Sequence, residues 1–235
     1  MAITTVLFDL DGTLLPMDQE VFVKTYLSLL AKKLAPHGYD PDALVKGVWA
    51  GTGAMIKNTS GRTNETVFWE TFCALLGADA RKDEPLFRDF YENEFSQVRT
   101  VCGFSPKAAE TIALVKRKGL RTALATNPLF PAIATENRAR WAGLDPADFE
   151  LITTYENSTC CKPNPDYYRE VLARLGVTAE ECLMVGNDVD EDMMAQELGM
   201  LVFLLTPCMI SRKHTDIARY PHGGFEELLA LIENL

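Results

Sequence analysis

Ile3-Thr4-Thr5-Val6-Leu7-Phe8 runs without a break into Asp9-Leu10-Asp11-Gly12, and the reading of the fold starts at that junction. The six residues are apolar and rich in β-branched side chains, the pattern of a short buried strand. The strand stops at a carboxylate, and a second carboxylate stands two positions on. Side chains at i and i+2 of an extended chain leave on the same side. Asp9 and Asp11 are therefore expected to face one point while Leu10 turns back to the core. Two carboxylates about 4 Å apart repel by about 4 kcal/mol at an effective dielectric near 20. Holding them together calls for a cation, a shared proton or a reaction. A lone Asp after a strand is commonly a helix cap or turn residue, so the rest of the chain has to decide. The EF-hand pattern fails, because no ligand series follows Asp11.

The chain has 235 residues, 47% hydrophobic and 24% charged. That suits one large α/β domain, or a core with a smaller domain, and excludes a disordered chain. The formal net charge of −10 argues against nucleic acid and anionic membrane as partners. It leaves room for a small anionic substrate, since a local cation overturns the global field. No apolar run reaches the roughly 18 residues of a membrane span, and the first residues lack the pattern of a secretory leader. Cys73, Cys102, Cys160, Cys161, Cys182 and Cys208 follow neither metal nor disulfide spacing, which fits a reducing cytoplasm. The adjacent Cys160 and Cys161 are read as two thiols near a site, open to oxidation.

Residues 17–101 read as helical throughout. Helices are expected from Glu20 to Leu34, from Asp40-Pro41 through Val48, from Thr63 to Leu76, and from Asp83 to about Gln97. Gly51-Thr52-Gly53 and Ser60-Gly61-Arg62 read as loop or hinge signals between them. After Gly103 strands and helices alternate. Strands are expected at 120–125, 151–153, 182–185 and 201–205, with helices at 105–118, 131–141, 164–176, 190–198 and 225–232. Apolar strands alternating with helices imply a parallel sheet covered on both faces. The expected architecture is a Rossmann-like, doubly wound core made of residues 1–16 and 102–235, with an inserted helical domain over 17–101.

Sites in open α/β sheets form beyond the carboxyl ends of the strands. Asp9 and Asp11 follow the first strand, and Thr126 and Asn127 the second. Lys162, with Pro163, follows the third. Gly186, Asn187, Asp188 and, a helical turn on, Asp192 follow the fourth. Each has an ordinary explanation alone: a turn former, a solvated lysine, a first-turn acid favoured by the helix dipole. Four consecutive strand ends carrying such groups have none.

In these residues the chain resembles the haloacid dehalogenase-like hydrolase superfamily. DLDGT at 9–13, Ala125-Thr126-Asn127, Lys162-Pro163-Asn164-Pro165 and GNDVDED at 186–192 match its four motifs, in order and each after a strand. The helical insertion resembles the family's α-helical cap. The resemblance implies Asp9 as a nucleophile forming an aspartyl-phosphate, and Asp11 as general acid and then base. It implies Mg²⁺ held by the Asp9 side chain, the Asp11 carbonyl and Asp188. Thr126 and the Asn127 N–H would grip phosphoryl oxygens, Lys162 would offset their charge, and Asp192 would support the shell. Most members have Asp where this chain has Asn187; Asp188 is expected to ligate in its place.

The activity implied is a phosphatase of a small phosphorylated metabolite, acting as a monomer or homodimer. A phosphomutase of the same fold and a receiver-like phospho-aspartate domain are the alternatives. Asp11 argues against a dehalogenase or phosphonatase, since those relatives lack the second aspartate. Lys57 and Arg62 are candidates to reach a distal anionic group, or else solvated side chains. Trp49, Phe68 and Trp69 are expected in the core of the helical domain.

Overall fold

A computed structural model describes residues 2–235. Strand β1 (Thr5–Phe8) is followed by four helices, α1 (Gln19–Leu34), α2 (Pro41–Ile56), α3 (Asn64–Leu76) and α4 (Glu84–Glu92), and a 3₁₀ segment, Glu94–Val101. The chain then runs α5 (Pro106–Arg117), β2 (Arg121–Leu124), α6 (Ala132–Trp141), β3 (Leu151–Ile152), α7 (Pro165–Leu175), β4 (Cys182–Gly186), β5 (Leu201–Leu205), β6 (His222–Gly223) and α8 (Phe225–Glu233). The strands form one parallel sheet in the order β3-β2-β1-β4-β5-β6. The expected α/β class is therefore the observed one.

The sheet reverses its winding at β1, which lies between β2 and β4. Phe8 is level with Leu124 on one side and Val185 on the other. The residues just past those three positions consequently share one edge, beside the crevice that a switch of strand order leaves. Strand pleat sorts the apolar side chains. Val6 and Phe8 join a core cluster with Phe22, Tyr26, Phe95 and Trp141, while Leu7 joins Met184, Val202, Tyr167 and Tyr168 on the other face. The first cluster runs without interruption from the sheet into the helical insertion.

Caps set most helix starts where the sequence placed them. Asp18 accepts from the N–H groups of Glu20 and Val21, Asp40 from Ala43, Thr63 from Thr66 and Asn164 from Asp166. Ser105 stands at the cap of α5 without making that bond.

Several expected boundaries differ. Helix α2 does not stop at Val48: it passes through Gly51-Thr52-Gly53 to Ile56, so these residues are no hinge. The reason is packing against α3. A Cβ on Gly47 would come within 2.9 Å of Leu76, and one on Gly51 within 2.5 Å of the Phe68 ring. Helix α4 ends at Glu92, and the turns beyond it are 3₁₀ rather than α. The helix expected at 190–198 is a 3₁₀ segment, Met193–Leu198. Strand β6, two residues long, carries no periodic signal and was not expected.

The two glycines of the misread turn separate these effects. Overpacking costs about 1–3 kcal/mol, while Ala in place of Gly returns about 1 kcal/mol of helix propensity. Gly51→Ala is expected to lower the urea midpoint. Gly53→Ala, whose Cβ meets nothing within 4 Å, is expected to raise it. A rise for both would show that α2 and α3 do not pack this closely.

Candidate active site

The edge past β1, β2 and β4 opens on a cavity of about 310 Å³. Asp9, Asp11, Thr126, Asn127, Asn187, Asp188 and Asp192 all line it. Three of the four strand ends read from the sequence thus line one cavity, and Lys162, from the third, reaches the same place through Asp9 and Asp192. Asp9 and Asp11 do share a cavity, but each has its own partners.

Asp9 is buried, and its two oxygens are held from opposite sides. Oδ1 accepts from Lys162 Nζ at 3.0 Å, and Oδ2 accepts from the Thr13 hydroxyl at 3.0 Å. The same hydroxyl lies 2.9 Å from Asn187 Oδ1, whose amide Nδ2 donates to the Cys208 carbonyl at 2.6 Å. Gly12 makes this close approach workable. Its φ of +84° is a left-handed conformation, and a Cβ there would lie 2.3 Å from Asn187 Nδ2.

Lys162 is fully buried and lies between two carboxylates, Asp9 and Asp192, the latter at 2.6 Å. Burial pushes Lys162 down and Asp192 up, against the pairing. The two carboxylates facing one ammonium decide for the charged state, and Lys162 stands well above its ordinary range. Asp192 is placed by a second contact: its Oδ2 accepts from the Asp188 N–H at 2.9 Å. Gly186 leaves room for it, since a Cβ there would lie 2.1 Å from the same oxygen. The Lys162–Pro163 peptide is cis.

Arg138 was not anticipated. This fully buried residue on α6 pairs with the Asp11 carboxylate and lies 4.2 Å over the Phe130 ring. Burial raises the Asp11 carboxyl to about 6, with Arg138 lowering it and Asp9 raising it. Asp11 Oδ1 is buried without a hydrogen-bond partner among the described residues.

Arg212 and Glu191 are the other residues that strand-end reasoning missed. Arg212 donates to Asp188 Oδ2 at 2.6 Å, while Asp188 Oδ1 accepts the N–H groups of Asp190 and Glu191 at 2.9 and 3.0 Å. Asn127 Nδ2 donates to Glu191 Oε2 at 2.9 Å, and Asn127 Oδ1 accepts the Lys162 N–H at 3.2 Å. The Thr126 carbonyl accepts from Tyr167 Oη at 3.0 Å and Thr153 Oγ1 at 2.6 Å, which fixes the loop.

No three His, Cys, Asp or Glu side chains among the described residues assemble a metal site. The expected ligand set does not need three, because one of its members is the Asp11 carbonyl. Its donors are all oxygens, as a hard divalent cation prefers, and Asp11, in the wall of the same cavity, has one buried oxygen, Oδ1, without a partner among the described residues. The residues fit such a cation.

Other expectations change. Neither Lys57 nor Arg62 lines the cavity, and Arg62 instead pairs with Glu70 at 2.5 Å on the surface. Trp49 is not in the core: it is 53% exposed and lines the cavity, whereas Phe68 and Trp69 are buried as expected. Cys160 and Cys161 are buried, and burial pushes both thiols up, away from the reactive thiolate.

Known proteins were compared with this chain. It is 29% identical over 132 residues to a glyceraldehyde 3-phosphate phosphatase of Methanocaldococcus jannaschii, which covers 55% of this chain and 57% of that protein. It is 25% identical over 237 residues to pyrophosphatase PpaX of Bacillus cereus, covering 100% of this chain and 99% of the relative. A ribulose-1,5-bisphosphate 5-phosphatase of Halopiger xanaduensis is 26% identical over 210 residues, 87% of this chain and 85% of its own. Among solved structures, a 2-haloacid dehalogenase of Pseudomonas syringae pv. Tomato superposes with a TM-score of 0.65 at 22% identity, covering 99% of each chain. A HAD phosphatase from Thermococcus onnurineus gives 0.60 at 20% identity, over 99% of this chain and 98% of its own. At these identities the structures establish the shared fold alone. The family model described as haloacid dehalogenase-like hydrolase matches residues 3–199, from the first strand through the fourth motif, and the chain belongs to that family.

Proposed function

We propose that the chain is a phosphatase that hydrolyses a small phosphorylated substrate through a phosphorylated Asp9. One observation carries this reading: two carboxylates two residues apart open on one cavity with unlike partners, Lys162 for Asp9 and Arg138 for Asp11. Relatives named as phosphatases support the same reaction class.

Asp9 has the character of a nucleophile. Lys162 and Thr13 leave it no conformational freedom, and its carboxylate would attack phosphorus while the ester oxygen departs. Asp11 has the character of an acid, since burial holds its carboxyl near 6 and keeps a proton within reach at neutral pH. Asp11 would give that proton to the leaving oxygen and take one back from the water that cleaves the aspartyl-phosphate. Thr126 and the Asn127 N–H would orient the phosphoryl oxygens. Lys162 would set its charge against them, and Asp192 would keep Lys162 in place.

We take the cation to be Mg²⁺, with the Asp9 side chain, the Asp11 carbonyl and Asp188 to hold it. When bound, it would offset the charge shared by the carboxylates and the phosphate. Asn187, bonded to Thr13 and Cys208, would support the Asp9 side rather than ligate. We read residues 17–101 as a cap over a core of 1–16 and 102–235. The cavity wall supports this, since Phe22, Trp49 and Ile56 line it from the insertion.

Asp9→Asn is expected to lower Mg²⁺-dependent turnover of p-nitrophenyl phosphate by about three orders of magnitude or more, in a chain that still folds by circular dichroism but melts at a lower temperature, since Lys162 then faces one carboxylate instead of two. Turnover kept in that variant removes Asp9 as nucleophile. Asp11→Asn is expected to lose most activity while still binding Mg²⁺ in a calorimetric titration, since only its carbonyl is assigned to the metal.

Arg138→Met tests the Asp11 pairing through pH. Burial raises the Asp11 carboxyl, so folding holds its proton more tightly than the unfolded chain does. Its unfavourable charge is therefore absent below the ordinary value of 3.8 and complete above about 6. Without Arg138 the upper limit moves higher still. The variant should lose stability at pH 8 toward the lower end of the about 3–5 kcal/mol that breaking a buried pair costs. It should lose less at pH 5, where Asp11 is neutral. Urea unfolding at both values measures this, and equal losses would show that Arg138 acts by packing alone.

A further inference from the structure

Helix α2 has more apolar surface than its packing uses. Leu44, Gly47, Val48, Gly51 and Met55 are buried on one face. A second stripe at i, i+3 and i+7 consists of Trp49, Thr52 and Ile56, and it lines the active-site cavity. Trp49 is 53% and Ile56 45% exposed, unusually open for such side chains in a helix that is otherwise packed.

That stripe also leads out of the cavity. Val23, Trp49, Thr52, Leu129 and Phe130 line both the active-site cavity and a neighbouring one of about 130 Å³. Among the described residues, no charged one lines the annex. Three tyrosines line it, and two of them, Tyr26 and Tyr91, are hydrogen-bonded to each other at 2.8 Å, so most of its wall is apolar or aromatic. Its size is close to the about 150 Å³ of an apolar cavity that takes up benzene.

The cations of the site lie outside the annex: Lys162 is buried between Asp9 and Asp192, Arg138 is buried against Asp11, and Arg212, beside Asp188, lines the active-site cavity but not the annex. A second anionic group on the substrate would enter the annex without its water and without a partner, which is strongly unfavourable. A flat apolar group would cover the open face of Trp49 and lie against Phe130. We propose that the annex receives the leaving group of the substrate. The substrate class is then a phosphate monoester of an uncharged alcohol whose apolar part is about one six-membered ring. This rests on the phosphatase reading above. It departs from the charged or polyhydroxylic substrates named for the curated relatives.

The test uses the full chain with Mg²⁺ and measures released phosphate. Acetyl phosphate needs no annex and reports the phosphatase reading alone. Benzyl phosphate, hydrolysed with water to benzyl alcohol and phosphate, is compared with 2-phosphoglycolate and pyrophosphate. Benzyl phosphate is expected to exceed both in kcat/KM by about tenfold or more, the selectivity that one apolar contact region supplies. Trp49→Ala should lower the benzyl to acetyl phosphate ratio about tenfold, and Trp49→Lys should favour phosphoglycolate over benzyl phosphate. Benzylphosphonate should quench tryptophan fluorescence saturably in the parent chain, which keeps the test open if a variant does not fold. If none of these phosphates is turned over, the phosphatase reading fails and takes the inference with it. If any is turned over but phosphoglycolate or pyrophosphate equals or exceeds benzyl phosphate, the inference alone is overturned. An unmoved ratio in a folded Trp49→Ala variant overturns it as well.

Discussion

A single ammonium organises this active site. Lys162 has no solvent of its own, so its charge is tolerable only while Asp9 and Asp192 both face it. Each contact then constrains a different part of the fold. Asp9 must sit at the end of β1, Asp192 must come back over Gly186 after β4, and the loop before α7 must deliver Lys162 between them. Three connections of the sheet meet in one ion cluster. Removing one carboxylate would leave a buried charge with half its compensation, so the cluster ties the site to the stability of the core.

The same cluster sorts the two opening aspartates. Asp9 faces Lys162 and takes part in a fully hydrogen-bonded arrangement with Thr13 and Asn187. Asp11 faces a second buried cation, Arg138, and still has one oxygen with no partner. Two like charges are thus separated chemically rather than spatially: one is locked, and the other is held near its own protonation point. Separating two neighbouring carboxyl groups in this way would let the proposed acid and nucleophile act at the same pH.

How much of this was legible follows from the range of the forces involved. Asp9, Asp11, Thr126, Lys162, Asp188 and Asp192 could be read because a strand ending in a polar group is a local pattern, and the parallel sheet aligns such endings. Arg138 could not. It sits in α6 next to Asn137 and near Arg140, in a stretch that looks solvated. Only the arrival of Phe130 and Phe22 from other elements buries it. Gly51-Thr52-Gly53 failed for the converse reason. Glycines in a row are a local hinge signal, but here they exist for the Phe68 ring across the helix pair. Trp49 was misplaced because α2 has apolar residues on two faces, and periodicity does not say which of them meets the core.

The two faces of α2 bring stability and selectivity into one element. The glycine face brings α2 against α3 and fixes the depth at which the helix sits. The other face of the same helix carries Trp49 and Ile56, which line the cavity with Phe130 and Leu129. A substitution on the packed face would therefore shift the cavity wall without touching any group that does chemistry. The catalytic floor, built from strand ends and buried ion pairs, has no such freedom. Its pairs Lys162–Asp9, Lys162–Asp192 and Arg212–Asp188 are made without residues of the insertion, and only Arg138, the partner of Asp11, lies against one of its side chains, Phe22. Such a division would let the wall change while the floor stays as it is: the charges of the floor are mutually dependent, whereas the contacts of the helical wall are apolar and closer to additive.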